Sequence, residues 1–481
     1  MTQQPLWEIE AMASAMQADR QGALPAGIAG ISIDSRTLQP GEAFFAIQGD
    51  ARDGHDFVET ALKAGAGLAV VARDKAAAFD SAAPLLIADD VLQSLRRLAQ
   101  AARARLQGRV IGVTGSVGKT GTKEALHLVL SRQGRTHASA ASYNNHWGVP
   151  LSLARCPQDC AFAVFEMGMN HACEIGPLSR LIRPQIAIIT GIAPVHLEYF
   201  SSLGEIADAK AEIFEGLEAD GTAVLPRDSE YFDQLAQRAR GAGVARIVSF
   251  GDHPAADTRL LTCALQAQSS TVRASILGTE VTYKIGAPGR HLVANSLAVL
   301  TAATLAGADL ALAALALADL QPPAGRGSRI ALTLPEGAAL LIDESYNANP
   351  VSMRAALAIL GQSEIGPRGR RVAVLGDMLE LGAQSDALHS GLVQPIVDNA
   401  IDLVFCAGPA MRALWQALPS ERRGGYAEDS KGLEPKVLEA VRGGDAIMVK
   451  GSNGSRMAPI VKALQRSFPR SDTDQGAPGR A

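Results

Sequence analysis

Three observations in the sequence predict an α/β fold with three domains. The chain has 481 residues, which at about 150 residues per domain corresponds to roughly three domains. Short apolar runs alternate with helical patterns, as in parallel sheets covered by helices. The pattern changes near residue 109 and again at the Pro- and Gly-rich stretch 321–327. We therefore predict a small N-terminal α/β domain (1–108), a central parallel-sheet domain (109–325), a C-terminal Rossmann-like domain (326–468) and a disordered tail (469–481).

Each predicted domain has its own set of elements. In the first, the pattern predicts strands at 31–33, 43–47, 68–71 and 85–88, and helices at 57–64 and 92–106. In the second, it predicts strands at 110–113, 161–165, 186–190, 223–225 and 247–250, followed by a hairpin within 271–285. The Ala- and Leu-rich stretch 297–320 is interrupted by Asp309 and Asp319, which favours a pair of core helices over a membrane span.

The third predicted domain repeats the strand-helix alternation, with strands at 340–342, 372–375, 403–406 and 447–449. Asp343, Asp377 and Lys450 each stand at the carboxyl end of one of these strands. Open α/β sheets bind ligands at that edge. This part of the chain is therefore predicted to hold a ligand of its own.

The central domain begins with a strand that leads into the glycine turn Gly115-Ser116-Val117-Gly118 and then into Lys119 and Thr120 at a helix start. Glycines let backbone N–H groups face a triphosphate, lysine brings a charge to its β/γ oxygens, and the threonine hydroxyl can hold Mg²⁺. The helix N-terminus favours the same anion. The alternative is an ordinary strand-turn-helix with a chance Gly-Lys-Thr. We predict a P-loop ATPase domain that binds ATP and Mg²⁺.

Three further residues are candidates for the same site. Glu166 and His196 follow apolar strands, and they converge near Thr120 if those strands flank the P-loop strand. A lone histidine at a strand end more often has a structural role. Here the glycine turn and Glu166 favour the interpretation that His196 is a metal ligand. Lys210 stands among small residues near Glu212. By pattern alone it is predicted to be a solvated lysine paired with a nearby glutamate.

Composition excludes other classes of protein. The net charge is −4 and aromatic residues make up 4% of the chain, so the basic surface and stacking platforms of a nucleic-acid-binding protein are missing. The N-terminal segment has no signal-peptide pattern, and we expect no stable membrane insertion. Five cysteines, an odd number, fit a reducing compartment. We predict a cytoplasmic protein, and a monomer.

Motifs along nearly the whole chain resemble the Mur ligase family. They are Thr114-Gly-Ser-Val-Gly-Lys-Thr, Tyr143-Asn-Asn-x-x-Gly-Val-Pro, Glu166-x-Gly, His196-Leu-Glu, Ala209-Lys-Ala-Glu-Ile-Phe, His291-x-x-x-Asn295, Gly325-Arg326 and Asp343-Glu-Ser-Tyr-Asn-Ala-Asn-Pro. Within the family, the last motif, Gly376-Asp-Met-Leu-Glu-Leu-Gly and Val449-Lys-Gly-Ser are similar to the member that adds D-alanyl-D-alanine to a UDP-N-acetylmuramoyl tripeptide. Asp34-Ser-Arg and residues 49–57 resemble its UDP-binding region.

The resemblance implies a role for each matching position. The implied catalytic residues are Lys119, His196 and Lys210, the last as a carbamate. The implied ATP contacts are Gly115, Ser116, Gly118, Lys119, Thr120, Asn295, Arg326 and Asp343. The implied ligands of the metal, with two Mg²⁺ ions expected, are Thr120, Glu166, His196 and carbamylated Lys210. UDP-substrate contacts fall on Ser35, Arg36, Gly54, His55, Asn144 and Asn145, and dipeptide contacts on Asn347, Asn349, Lys450 and Ser452.

The implied reaction is an ATP-dependent, ADP-forming amide ligation through an acyl phosphate, in peptidoglycan precursor synthesis. Two alternatives share the core: the family member that adds the third stem residue and a folylpolyglutamate-type ligase. A third alternative, from another class, is a P-loop switch whose output is a conformation. The chain has no Asn-Lys-x-Asp guanine motif. A third domain with strand-end Asp and Lys suits a second substrate, which favours a ligase.

Overall fold

The computed structural model describes residues 4–49, 52–140, 142–195, 197–266 and 268–469. These residues form four β-sheets with helices packed against them, which confirms the predicted α/β class. From residue 470 onward, the predicted disordered tail lies outside the described residues.

The N-terminal part is built on a five-stranded sheet. Its elements are β1 (Trp7–Glu8), α1 (Ile9–Met16), β2 (Asp19–Gln21), β3 (Gly27–Ile28), β4 (Gly30–Ser32), β5 (Glu42–Phe45), α2 (Val58–Lys63), β6 (Leu68–Ala72), β7 (Leu85–Ala88) and α3 (Val91–Arg105). Strands β4 to β7 are parallel, β2 joins β7 antiparallel, and β1 pairs with β3. The four predicted strands are present. The prediction missed β1 to β3, because strands of two or three residues carry too little alternation to be recognised.

The central part contains a nine-stranded sheet in the order β16-β15-β14-β13-β12-β11-β8-β10-β9. Its strands are β8 (Arg109–Thr114), β9 (Thr136–Ala138), β10 (Phe162–Glu166), β11 (Ile186–Ile189), β12 (Thr222–Pro226), β13 (Arg246–Gly251), β14 (Thr258–Leu265), β15 (Ser270–Ile276) and β16 (Thr279–Ile285). Its helices are α4 (Lys119–Ser131), α5 (Gly148–Ala154), α6 (Ile175–Ile182), α7 (Leu203–Ala211), α8 (Phe232–Gly241), α9 (Arg290–Leu305) and α10 (Leu310–Ala316).

Strand β8 lies between β10 and β11 and is parallel to both. The strands that lead to Glu166 and toward position 196 therefore flank the P-loop strand, which meets the condition set for their convergence near Thr120. The predicted hairpin is also present as β15 and β16, and β14 extends it into an antiparallel annex.

Both faces of the central sheet are buried. On β8, Val110 packs into one hydrophobic cluster, whereas Ile111 and Val113 pack into the cluster on the other face. Helices α9 and α10 contribute to that second cluster, which confirms the predicted pair of core helices. Among the described residues, no helix combines the length and hydropathy that a membrane span requires.

The C-terminal part has a six-stranded sheet in the order β17-β18-β22-β19-β20-β21. Its elements are β17 (Ser328–Leu334), β18 (Gly337–Glu344), α11 (Pro350–Gly361), β19 (Arg371–Gly376), α12 (Ser385–Ser390), α13 (Val393–Asp398), β20 (Leu403–Ala407), α14 (Met411–Ala417), β21 (Arg423–Ala427), α15 (Ser430–Ala440), β22 (Ala446–Lys450) and α16 (Ala458–Ser467). Only β17 is antiparallel to its neighbour. The prediction missed the edge strands β17 and β21, which are less buried than the inner strands.

Candidate active site

The turn between β8 and α4 forms a tight loop that requires both of its glycines. Gly115 and Gly118 have φ values of +144° and +85°, in the region that favours glycine. A Cβ atom at Gly115 would lie 2.1 Å from the Thr190 hydroxyl oxygen, and one at Gly118 would lie 2.9 Å from the Asn295 side-chain nitrogen. The strand, turn and helix predicted from the sequence are thus present, with Asn295 against the turn.

Lys119 folds back over this loop. Its Nζ donates hydrogen bonds to the carbonyl oxygens of Gly115 at 2.7 Å and Ser116 at 3.4 Å. Burial lowers the pKa of the Lys119 ammonium, the nearby Glu166 carboxylate acts in the opposite direction, and the Arg326 guanidinium adds to the lowering. A desolvated ammonium at the mouth of an N–H-rich loop is suited to hold phosphate oxygens.

Glu166 ends β10 directly beside the loop and is almost fully buried. One of its carboxylate oxygens accepts a hydrogen bond from the Thr120 hydroxyl at 2.9 Å, and the other accepts one from the Asn144 amide at 2.8 Å. A carboxylate next to a hydroxyl is an oxygen donor set that suits Mg²⁺. In the described part of the chain, no group of three or more His, Cys, Asp or Glu could hold a metal. His196, a predicted ligand, lies outside the described residues.

Lys210 is fully buried near the end of α7, so the pattern-based expectation of a solvated lysine is wrong. Its Nζ has no hydrogen-bond partner among the described residues. The nearby Glu212 instead accepts hydrogen bonds from the backbone N–H groups of Cys173, Ile175 and Gly176 around the start of α6. Burial, reinforced by the charge of Lys119, lowers the pKa of Lys210 well below its usual value. The charged form of Lys210 is therefore disfavoured, at a position where Nζ has no hydrogen-bond partner among the described residues.

A cavity of about 410 Å³ lies between the P-loop and the C-terminal sheet. Its wall includes most of the predicted ATP, metal and dipeptide residues: Ser116, Gly118, Lys119, Thr120, Asn144, Glu166, Asn295, Arg326, Asn347, Asn349 and Lys450. Its wall does not include Gly115, Asp343, Ser452 or Lys210, nor any of Ser35, Arg36, Gly54, His55 and Asn145. The structure therefore brings predicted ATP, metal and dipeptide residues into one space and leaves the predicted UDP contacts elsewhere, except for Asn144.

Arg326 connects the two walls of this cavity. Its guanidinium carbon lies 4.3 Å from the ring centre of Tyr346, and its Nη2 is 3.5 Å from the Ser142 hydroxyl oxygen. Neither Tyr346 nor Ser142 was among the site residues predicted from the sequence. An aromatic residue three positions after a strand-end carboxylate carries no signal that distinguishes it from a surface residue.

Glu344, which was also not predicted from the sequence, lines the cavity in place of the predicted Asp343. Side chains alternate along β18. Asp343 accepts hydrogen bonds from the backbone and hydroxyl of Ser345 at 3.1 and 2.6 Å. Glu344 instead lies 3.0 Å from the Nζ of Lys450, its register partner on β22. The two-residue period of the strand was the signal that could have separated these neighbours.

Two predicted dipeptide residues have structural partners. The Asn349 side chain accepts the N–H of Ser352 at 2.8 Å, and the Ser352 hydroxyl accepts the N–H of Asn349 at 3.0 Å, which caps α11. The Ser452 hydroxyl accepts the N–H of Leu379 and donates to the carbonyl of Ala348. These contacts hold the strand-end loops of the C-terminal sheet together.

The predicted UDP contacts lie mostly in the N-terminal part, in the segments that follow β4 and β5. His55 is held between the Asp53 carboxylate at 2.6 Å and the backbone N–H of Ala72 at 2.9 Å. Arg36 is exposed and forms a two-pronged pair with Asp34 that lowers the pKa of this carboxyl to about 2. Asn145 caps the turn before α5 by accepting the N–H of Gly148 at 2.9 Å.

Three segments of the chain match known family profiles. Residues 27–105 match the description "Mur ligase family, catalytic domain", residues 113–303 match "Mur ligase middle domain", and residues 328–453 match "Mur ligase, glutamate ligase domain". The three matches correspond, in order, to the N-terminal, central and C-terminal parts of the structure. They leave out the stretch 304–327, which contains α10 and Arg326.

Similar proteins extend over almost the whole chain. The UDP-N-acetylmuramoyl-tripeptide–D-alanyl-D-alanine ligase of Bacillus subtilis is 35% identical over 92% of this chain and 94% of its own length. The ligase of the same name from Escherichia coli is 34% identical over 91% of this chain and 94% of its own length. A crystal structure of MurF from Acinetobacter baumannii is 28% identical, with a TM-score of 0.80 over 96% of this chain and 99% of that chain. The chain belongs to the Mur ligase family.

Proposed function

We propose that the chain joins D-alanyl-D-alanine to the UDP-N-acetylmuramoyl tripeptide, with ATP as the energy source, in peptidoglycan precursor synthesis. The observation that carries the proposal is the cavity in which the P-loop, Glu166 and the strand ends of the C-terminal sheet meet. The relatives described above, whose names state this activity, favour it over the two ligase alternatives. The proposal assigns the UDP substrate to residues 1–108, ATP to 109–325 and the dipeptide to 326–468.

The reaction has two steps in this proposal. The tripeptide carboxylate takes the γ-phosphoryl group of ATP and releases ADP. The dipeptide nitrogen then bonds to the acyl carbon while the carbon–oxygen bond to phosphate breaks. Phosphate leaves with that electron pair, and the nitrogen loses two protons, one to water before it attacks and one to phosphate. Negative charge gathers in both steps, and preorganised positive groups such as Lys119 and Arg326 are the means of stabilising it.

The donor set at the loop supports magnesium as a cofactor. Thr120 and Glu166 supply a buried hydroxyl and carboxylate 2.9 Å apart, and Asn144 fixes the carboxylate orientation. When bound, the ion would neutralise phosphate charge. We further propose a second Mg²⁺, held by Lys210 as a carbamate together with His196. The buried amine of Lys210 supports this, because carbamylation requires a neutral amine and yields an anion.

We also propose a monomer that works in the cytoplasm. All five cysteines are free thiols, which fits a reducing compartment. Size-exclusion chromatography with light scattering measures the first property. A dimer mass at enzyme-assay concentrations would contradict it.

One assay tests the function as a whole. ADP and phosphate release are measured with ATP, a panel of UDP-N-acetylmuramoyl tripeptides and several acceptors. We expect release to require both a tripeptide and D-alanyl-D-alanine, with the amide product confirmed by mass spectrometry. Release driven by a single amino acid, by glutamate on a folate, or by no acceptor at all would overturn the proposal in favour of one of the alternatives.

A further inference from the structure

One carboxylate on the C-terminal side of the cavity has an oxygen available for a ligand. Glu344 Oε2 is paired with Lys450 Nζ at 3.0 Å, and the same Nζ donates to the Asn347 carbonyl at 3.0 Å. Glu344 Oε1 makes no hydrogen bond with the described residues, and a Cβ atom on Gly327 would lie 3.2 Å from it. Lys450 is only 2% exposed. The buried ammonium therefore fixes the carboxylate in place while leaving one oxygen open.

The other carboxylates of the described cavity wall have partners on the P-loop side. Glu166 has both oxygens in hydrogen bonds, to Thr120 and Asn144. Glu124 lies on α4 and pairs with Lys123 at 2.7 Å. Both belong to the P-loop side of the cavity. Glu344 is the acidic group that the C-terminal sheet contributes to the described wall.

A free oxygen on a fixed carboxylate favours a cationic ligand. The α-amino group of a peptide has a pKa of about 8 and is therefore mostly an ammonium at neutral pH. We propose that Glu344 binds the ammonium group of the incoming dipeptide and directs its nitrogen toward the acyl phosphate. This inference rests on the function proposed above and names the residue that would select an amine substrate.

The contact between Lys450 and Glu344 also explains how the amide product can be released from this site. Lys450 offsets part of the charge of Glu344, so an ammonium is attracted without being held by a bare buried anion. Amide formation removes the positive charge from the nitrogen. The attraction to Glu344 is then lost, which favours dissociation of the product.

Glu344→Gln tests the inference, because glutamine can still accept a hydrogen bond from the Lys450 ammonium but carries no charge. Hydroxylamine, a small amine that is neutral near pH 7, traps the acyl phosphate as a hydroxamate in the absence of dipeptide. We expect hydroxamate formation from ATP and the UDP-tripeptide to stay within about twofold of the wild type. We expect kcat/KM for D-alanyl-D-alanine to fall by roughly 10- to 100-fold, the size of one charged hydrogen bond.

Two further variants complete the design. Glu344→Asp keeps the charge and should recover part of the dipeptide kcat/KM. Glu336→Gln, an exposed carboxylate at the other end of the same hairpin, should match the wild type. Equal losses of hydroxamate and amide in Glu344→Gln would place Glu344 at the nucleotide or acyl phosphate and overturn the inference, as would an unchanged dipeptide kcat/KM.

A measurement on the wild-type enzyme removes any dependence on variant folding. Propionyl-D-alanine lacks only the ammonium group of the dipeptide. Its inhibition constant should exceed the dipeptide dissociation constant by about 10-fold or more, again the size of one charged hydrogen bond. Equal affinities would overturn the inference. Failure of the wild type to form hydroxamate with any UDP-tripeptide would instead contradict the proposed function itself.

Discussion

At the scale of single residues, two lysines define the chemistry of the central site. Lys119 is held by the loop that it closes, and Lys210 is buried without a hydrogen-bond partner among the described residues. An unpaired buried ammonium is costly, so a lysine in this position is expected to be neutral or modified. The two amines lie close enough for the charge of Lys119 to lower the pKa of Lys210.

Removal of the Lys119 charge should abolish most of the turnover. Lys119→Ala is expected to lower kcat by about 10³-fold, equivalent to roughly 4 kcal/mol of transition-state stabilisation. Circular dichroism and the melting temperature should show an intact fold. Lys462→Ala, an exposed lysine on α16, is the control and should keep full activity. Near-normal turnover by a folded Lys119→Ala protein would show that this loop does not hold the triphosphate.

Lys210 should be carbamylated and required. Lys210→Ala is expected to be nearly inactive and to be partly rescued by a short-chain acid such as acetate, which can replace the missing anion. Lys210→Arg should not be rescued, since guanidinium neither carbamylates nor leaves room for the acid. Lys63→Ala, an exposed lysine, is the matched control. Native mass spectrometry or crystallographic density reports the carbamate. An unmodified Lys210 together with a fully active Lys210→Ala enzyme would refute the assignment.

At the scale of elements, the C-terminal sheet places its polar groups through strand ends and one capped helix. Parallel pairing of β18 with β22 sets Glu344 opposite Lys450. The loop after β18 then ends in Asn349, which caps α11. The cap keeps the loop between residues 344 and 349 in one conformation, and this loop supplies Tyr346 and Asn347 to the cavity.

Loss of this cap should destabilise the protein and weaken dipeptide binding. Asn349→Ala is expected to cost about 1 kcal/mol of unfolding free energy, the usual value of an N-cap side chain. It should also raise the dipeptide KM while ATP and UDP-substrate affinities stay nearly unchanged. Asn349→Asp keeps the cap and should restore stability. Urea unfolding and steady-state kinetics measure the two effects. A variant that lost only UDP-substrate binding would show that the dipeptide is assigned to the wrong sheet.

At the scale of the whole molecule, the loop after β11 connects the central sheet with the C-terminal sheet. Leu197 packs against the hydrophobic clusters of both parts. The next residue, Glu198, donates its backbone N–H to the carbonyl of Glu380 at 3.3 Å. Two hydrogen bonds join the N-terminal part to the central part: the Trp7 indole donates to the Ala154 carbonyl, and the Arg155 side chain donates to the Ile31 carbonyl. The cavity is therefore formed by parts of the chain that must stay docked.

A weaker contact at Leu197 should let water reach the acyl phosphate. Leu197→Ala removes a half-buried side chain. It is expected to weaken the docking of the C-terminal part on the central part by about 1–2 kcal/mol, which corresponds to a roughly tenfold lower population of the closed arrangement. ADP release per amide formed should rise, because closure excludes water from a reactive intermediate. Leu315→Ala, an exposed leucine on α10, is the control. An unchanged ratio of ADP to amide would contradict this role for Leu197.

The sequence by itself determined most of the parallel strands, the P-loop and the α/β class, because continuous apolar runs and glycine positions act over a few residues. It also indicated that Glu166 stands at a strand end. Only the tertiary structure decided that Lys210 is buried, since a helix pattern of small residues does not reveal what packs on it. In the same way it placed Asn144 against Glu166, and Glu344 rather than Asp343 in the cavity wall. These contacts join residues far apart in the chain, and their geometry depends on sheet order and register, which no local pattern contains.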